Sequence, residues 1–210
     1  YLNGQLLKYV FMVVFTTALS FGLTYMFGYE DEASSVPAED EEAGAIIEEE
    51  TTGTVPVSLQ DETIISPIVG QAVALENVND PVFSSGAMGQ GIAIKPTEGV
   101  VYAPADAEVT IAFATGHAFG LKTANGAEVL IHVGIDTVSM NGEGFDQKVA
   151  QGDKVKAGDV LGTFDSAKIA AAGLDDTTMV IVTNTSDYAS VTPVATGAVA
   201  KGDAIIEVKA

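Results

Sequence analysis

The chain has no cysteine, no arginine and no tryptophan, and only two histidines among its 210 residues. Without cysteine there can be no disulfide, no thiolate zinc site and no thiol nucleophile within this chain. Without arginine no guanidinium fork can clamp a phosphate or carboxylate. Positive charge is scarce altogether: nine lysines face 29 acids, for a formal net charge of −20. No basic stripe is present, which argues against nucleic-acid binding. No Walker-type glycine loop occurs, so nothing marks a nucleotide site. What is abundant is apolar side chain, 47% of residues, and glycine, 22 residues, enough for one sizeable core punctuated by turns.

The two histidines fall close together. His132 ends the apolar run Val129-Leu130-Ile131-His132-Val133 and precedes Gly134, while His117 precedes Ala118-Phe119-Gly120-Leu121. Asn125-Gly126 between them is the dipeptide favoured in a two-residue type I′ turn, so the segment reads as a hairpin. With that loop, Ala124 faces Ala127, Phe119 faces His132 and His117 faces Gly134. The two imidazoles then become diagonal neighbours on one face, their Cβ atoms roughly 7–8 Å apart. A one-residue slip would send them to opposite faces. Gly134 is expected to leave open space above the pair for an approaching phosphate or backbone. Two readings stand at this point: hydrogen-bonded structural histidines, or a functional pair that holds and passes on a small electrophile. A neutral imidazole, with an ordinary pKa of about 6.5, is a competent nucleophile near neutrality.

The segment Gly126 to Val138 resembles the signature of the glucose/β-glucoside-type enzyme IIA domain of the bacterial sugar phosphotransferase system. Further motifs follow in that family's order: Ile64 to Gly70, Val82 to Pro96 (with Gly86-Ala87-Met88-Gly89-Gln90-Gly91), Tyr102-Ala103-Pro104, Thr115 to Gly120 and Asn141 to Phe145. The resemblance covers about residues 58–210. It implies that His132 takes a phosphoryl group from phosphorylated HPr and passes it to a cysteine of the enzyme IIB domain. It implies that His117 hydrogen-bonds the phosphate, that Thr115 orients His117 and that Asp136 stands beside the site. Phe83, Ala87, Met88, Leu130 and Val138 match the apolar rim on which partners dock. Neither cofactor nor metal is implied, because an N–P bond itself preserves transfer potential.

Tyr9 to Gly28 is a charge-free run of 20 residues. As a helix it would span roughly 30 Å, one hydrocarbon core, and it reads as a transmembrane helix rather than a signal peptide. The chain opens at Tyr1 rather than Met, the expectation for a piece of a longer polypeptide. By resemblance, residues 1–29 are the end of an enzyme IIC domain, which implies the order B, C, A of the β-glucoside group. Lys8 before the span and acids after it would put the carboxyl side outside; the enzyme IIA role needs it in the cytoplasm, with preceding helices setting the topology. Residues 30–57 hold ten of the 29 acids and read as a self-repelling flexible linker that tethers the carrier domain near its membrane partner.

From Val55 onward, short β-rich runs separated by Gly, Pro, Asn and Asp predict an all-β domain, an antiparallel sandwich or barrel. Strands are expected at Gly91–Ile94, Gly99–Tyr102, Glu108–Phe113, Val129–Val133, Val160–Phe164, Met179–Thr183 and Ala204–Val208. Only Asp165–Gly173 and Phe145–Val149 read as helical. Two rival functions fit parts of the sequence. Gly152-Asp153 and Gly158-Asp159, echoed by Gly202-Asp203, resemble turns of biotinyl and lipoyl carrier domains, with Lys168 roughly where a modified lysine would sit. His117, His132 and Asp136 also form a two-histidine, one-carboxylate set of the kind that holds zinc, although no HxH or HExxH spacing occurs.

Overall fold

The computed structural model describes residues 59–210. The expected membrane span at 9–28 and the acidic linker at 30–57 lie outside the described residues. Among the described residues no helix is long and apolar enough to cross a membrane.

The β-rich runs form fourteen strands, all paired antiparallel: β1 Glu62–Ile65, β2 Gly70–Ala74, β3 Gln90–Pro96, β4 Val100–Tyr102, β5 Ala107–Ala112, β6 Ala118–Thr123, β7 Glu128–His132, β8 Phe145–Gln147, β9 Lys154–Val155, β10 Val160–Phe164, β11 Thr178–Val182, β12 Ser190–Pro193, β13 Gly197–Val199 and β14 Ala204–Lys209. One eight-stranded sheet runs β13-β2-β3-β11-β7-β6-β5-β9, and two three-stranded sheets run β1-β14-β12 and β4-β10-β8. The all-β expectation holds, and each expected strand is present within a residue or two of its bounds.

The middle of the large sheet is covered on both faces. Along β7 and β11, Val129, Ile131, Val180 and Val182 enter the main core with Ile92 and Ile94 of β3. Met179, Ile181 and Ala93 point the other way into a smaller cluster with Val78 and Phe83. This two-sided burial explains why both strands read as continuous apolar runs rather than alternating ones. His132 pairs with Met179 and Leu130 with Ile181, so both lie on the smaller cluster's face. A one-turn helix, α1 (Pro81–Ser84), roofs that face. Asp80 caps it, accepting hydrogen bonds from Val82 N and Phe83 N, and Pro81 supplies the preset φ of a first helical residue. The cap brings the Phe83 ring down onto the sheet.

The Gly-Asp turns form one device used three times. In each, glycine takes positive φ (92° at Gly152, 87° at Gly158, 91° at Gly202). The aspartate carboxylate accepts the backbone N–H three residues back, from Ala150, Lys156 and Ala200, at 2.8 Å each. Each turn then clamps one residue of another segment through two backbone bonds. The Asp153, Asp159 and Asp203 carbonyls accept from Val109, Ala103 and Ser66, whose own carbonyls accept from Gly152, Gly158 and Gly202. A side-chain-to-backbone bond fixes each turn locally, and the clamp transmits that rigidity to the sheets. Lys168 is on a helix, α2 (Ser166–Ala171), beside Glu143, and not at a turn tip.

Two expectations are corrected. Phe145–Gln147 is strand, because it pairs residue for residue with Gly162–Phe164; that ladder outweighs local propensity. Asp165, which caps α2, marks where helix begins. The histidine hairpin is also one residue out of the expected register. Lys122 faces Glu128 and Ala118 faces His132. Its loop has three residues, with Gly126 N donating to Thr123 O at 3.1 Å and Gly126 at φ 101°, the longer alternative to a type I′ turn. Long-range partners choose it: Thr123 Oγ1 accepts from Ala127 N and donates to Glu62, while Asn184 donates to the Gly126 carbonyl.

Candidate functional site

The two histidines meet in spite of that slip. His117 precedes the first residue of β6 and follows Gly116, whose φ is +67°, so strand alternation does not govern where its ring points. Its carbonyl still takes the Val133 N–H at 2.8 Å. The imidazoles lie edge to face, centroids 5.0 Å apart at 79°. Phe83 lies 5.2 Å from the His132 ring and Phe113 lies 5.3 Å from the His117 ring, giving a row of four rings.

Each imidazole is oriented by a bond at Nδ1. His132 Nδ1–H donates to the Gly134 carbonyl at 2.8 Å, which leaves Nε2 as the ring nitrogen with a free lone pair. His117 Nδ1 and Thr115 Oγ1 are hydrogen-bonded at 2.5 Å; when the hydroxyl donates, His117 Nε2 carries the hydrogen. Both side chains are almost sealed from solvent, His132 at 8% and His117 at 2% exposure.

That burial sets the charge state. Desolvation first, and then the His132 ring, pushes His117 down to about 3. Burial also lowers His132, against the opposing pull of the Gly134 carbonyl and the Asp80 and Asp136 carboxylates. Both rings are therefore neutral at pH 7. In the unfolded chain each would titrate near 6.5, so the unfolded state binds more protons below that pH. Stability conferred by neutral His117 is complete above pH 6.5 and falls as pH drops toward 3. His117→Gln should flatten this slope, making the loss of stability between pH 6.5 and 4.5 about 2–3 kcal/mol smaller than in wild type. Urea midpoints across that range measure it; parallel wild-type and variant curves would contradict it.

Gly134 does not leave open space. With φ +76°, a Cβ there would strike the Thr137 methyl and lie 2.8 Å from the Asp175 carbonyl. Its role is to let the chain turn so that its carbonyl faces His132. Asp136 follows at φ 59°, a left-handed conformation that aspartate tolerates better than most residues. Its carboxylate makes no cap bond to the short 3-10 helix Thr137–Met140 and remains exposed beside His132.

The structure thus gathers Thr115, His117, His132 and Asp136 at one end of β6 and β7. Of the expected rim, Phe83 packs on His132 and Leu130 is buried on the same face. Met88 packs into the smaller cluster; Ala87 is exposed beyond α1, and Val138 is half-buried on the 3-10 helix. Sequence reading missed Asp80, Phe113 and the Gly134 carbonyl. Asp80-Pro81 was legible as a helix cap, but its influence on His132 depends on α1 folding over the sheet. Among the described residues no three His, Asp or Glu side chains converge as a metal-binding group.

The family model for the phosphoenolpyruvate-dependent sugar phosphotransferase system, EIIA 1, matches residues 62–188. A β-glucoside-specific EIIBCA component from Dickeya chrysanthemi is 44% identical over 194 residues, covering 90% of this chain and 30% of that protein. A glucose-specific EIIA component from Bacillus cereus is 46% identical over 142 residues, covering 68% of this chain and 86% of that protein. The solved glucose permease IIA from Mycoplasma capricolum superposes with a TM-score of 0.67 at 35% identity, covering 70% of this chain and 96% of that one. The chain belongs to the EIIA 1 family of the phosphoenolpyruvate-dependent sugar phosphotransferase system. Its role is that of the EIIA component of such a system. The chain spans under a third of the length of the fused β-glucoside relatives.

Proposed function

We propose that His132 Nε2 is the phosphoryl acceptor of this EIIA domain, that phosphorylated HPr is the donor, and that a cysteine of the cognate enzyme IIB is the next acceptor. The observation that carries this reading is the bond from His132 Nδ1–H to the Gly134 carbonyl. It presents an unprotonated Nε2 beside a second imidazole 5.0 Å away, ring centre to ring centre.

In the first transfer the Nε2 lone pair attacks phosphorus, an N–P bond forms and the donor's own N–P bond breaks, its electron pair returning to the donor nitrogen. In the second, a thiolate attacks, a P–S bond forms and the N–P electrons return to Nε2. A loose transition state demands in-line positioning and charge stabilisation more than proton transfer. His117, with hydrogen on Nε2, donates to a phosphoryl oxygen. Lacking arginine, the domain relies on that donor and on donors of the docked partner. The Asp80 and Asp136 carboxylates near His132 disfavour a lasting dianion there, which promotes onward transfer. Burial of both rings limits loss of the group to water.

Residues 58–210 form the carrier domain in this reading, 30–57 a tether, and 1–29 the last membrane helix of an enzyme IIC domain in a B, C, A arrangement. The domain then works on the cytoplasmic side of the membrane on a β-glucoside-type sugar route.

The test is incubation with enzyme I, HPr and labelled phosphoenolpyruvate, followed by peptide mapping. Label that is acid-labile, base-stable and on the His132 peptide is expected; stable label on a serine or threonine peptide would refute the proposal. His117→Gln should still accept phosphate but donate it to enzyme IIB about 10²–10³-fold more slowly, the size of a lost preorganised donor. A bound dianion draws His117 toward the charged form, whereas an amide stays neutral. Acceptance instead draws on the partner's own donors.

A further inference from the structure

The Gly134 carbonyl that orients His132 lies in a loop clamped from both sides. Thr137 Oγ1 donates to the Val133 carbonyl at 2.5 Å, and Ile135 N donates to the Asp175 carbonyl at 2.8 Å. The second clamp is unusually direct, because the Asp175 carbonyl lies 2.8 Å from where a Gly134 Cβ would be. Displacing Asp175 therefore displaces the loop at the residue that holds Nδ1–H. Asp175 is itself fixed by its side chain. Its Oδ1 accepts from Thr177 N at 2.8 Å, Thr177 Oγ1 at 2.7 Å and Lys95 Nζ at 2.8 Å. Lys95, near the end of β3, also lies 2.7 Å from Asp176 Oδ1, so one ammonium tethers both aspartates ahead of β11. Partial burial works against the Asp175 carboxylate, yet Lys95 and Thr177 hold it down at about 2. The phosphotransfer step described above uses neither Lys95 nor Asp175.

We propose that Lys95 and Asp175 are positioning residues that, through the Asp175 carbonyl and Gly134, hold His132 in the Nδ1–H tautomer and so keep Nε2 free to react. The tautomer claim rests on geometry alone; its catalytic consequence rests on His132 being the acceptor. An ion pair half in solvent adds little to global stability, so its loss should register at the imidazole and not in the unfolding midpoint.

The experiment uses the full chain labelled with 15N-histidine. Long-range proton–nitrogen spectra report which ring nitrogen of His132 carries hydrogen, and the same preparations give the initial rate of phosphorylation by phospho-HPr. Asp175→Asn removes the charge while keeping an oxygen for Thr177, and Lys95→Met keeps the aliphatic stem. Each is expected to shift the His132 tautomer ratio toward Nε2–H by about tenfold, the scale of one hydrogen bond's net contribution, and to slow acceptance in proportion to the Nδ1–H population lost, with a urea midpoint close to wild type. Asp61→Asn, which breaks the comparable exposed pair to Lys209, should change neither readout. An unaltered tautomer in both variants overturns the proposal, and so does a slower rate with the wild-type tautomer. If label maps to a residue other than His132, the acceptor assignment fails, while the spectra still decide the positioning role.

Discussion

His132→Ala should reduce phosphoryl acceptance from phospho-HPr by at least about 10⁴-fold, to background, the scale on which deletion of a covalent nucleophile acts. No neighbouring group can take over. His117 sits 5.0 Å away, but its Nδ1 is engaged by Thr115, and with hydrogen on Nε2 it has no free lone pair to offer. No cysteine exists in the chain, and the hydroxyls of Thr115 and Ser139 are weak nucleophiles committed to hydrogen bonds. The alanine variant leaves a gap beneath Phe83, so His132→Gln, closer in volume, separates loss of chemistry from loss of packing. Both should be unlabelled while retaining the wild-type circular dichroism spectrum. Labelling of either folded variant at a normal rate would remove His132 from the reaction.

Gly134→Ala should destabilise the domain by about 2–5 kcal/mol, combining left-handed strain with overpacking, and lower its Tm by roughly 5–15 °C. At φ +76° the new methyl meets the Thr137 side chain and the Asp175 carbonyl at once. Thr137 is fully buried and bonded to Val133, and Asp175 is held by Lys95 and Thr177, so neither yields cheaply. Relief by moving the loop would carry the Gly134 carbonyl away from His132 and cost phosphotransfer as well. Gly152→Ala is the comparator: φ is +92°, but nothing lies within 4 Å of the added carbon. It should cost only the conformational part, about 1–2 kcal/mol. Equal melting temperatures for the two variants would show that crowding at Gly134 has been overstated.

Much of this was legible in the linear chain. Apolar runs and turn residues located the expected strands, because period and punctuation are local properties. Gly-Asp pairs marked turns correctly, since the aspartate reaches a backbone amide only three residues away. The register of the histidine hairpin was not legible: Asn125-Gly126 favours one turn locally, and Glu62 and Asn184, distant in sequence, impose another. The strand at Phe145–Gln147 was hidden for the same reason, its ladder partner lying at Gly162–Phe164.

The sequence by itself determined the all-β class, the exclusion of thiol and guanidinium chemistry, and the nearness of the only two imidazoles, while Thr115 and Asp136 were expected beside them only through the family resemblance. These depend on residue type and near neighbours. Only the tertiary structure decided how the pair meets, which ring nitrogen is free, why Gly134 must be glycine, and which distant groups act on His132. Asp80 reaches it by way of a capped helical turn, and Asp175 by way of a loop that β3 and β11 bring together. Such contacts arise when strands far apart in the chain align, and the energy that selects one alignment is spread over the whole buried core.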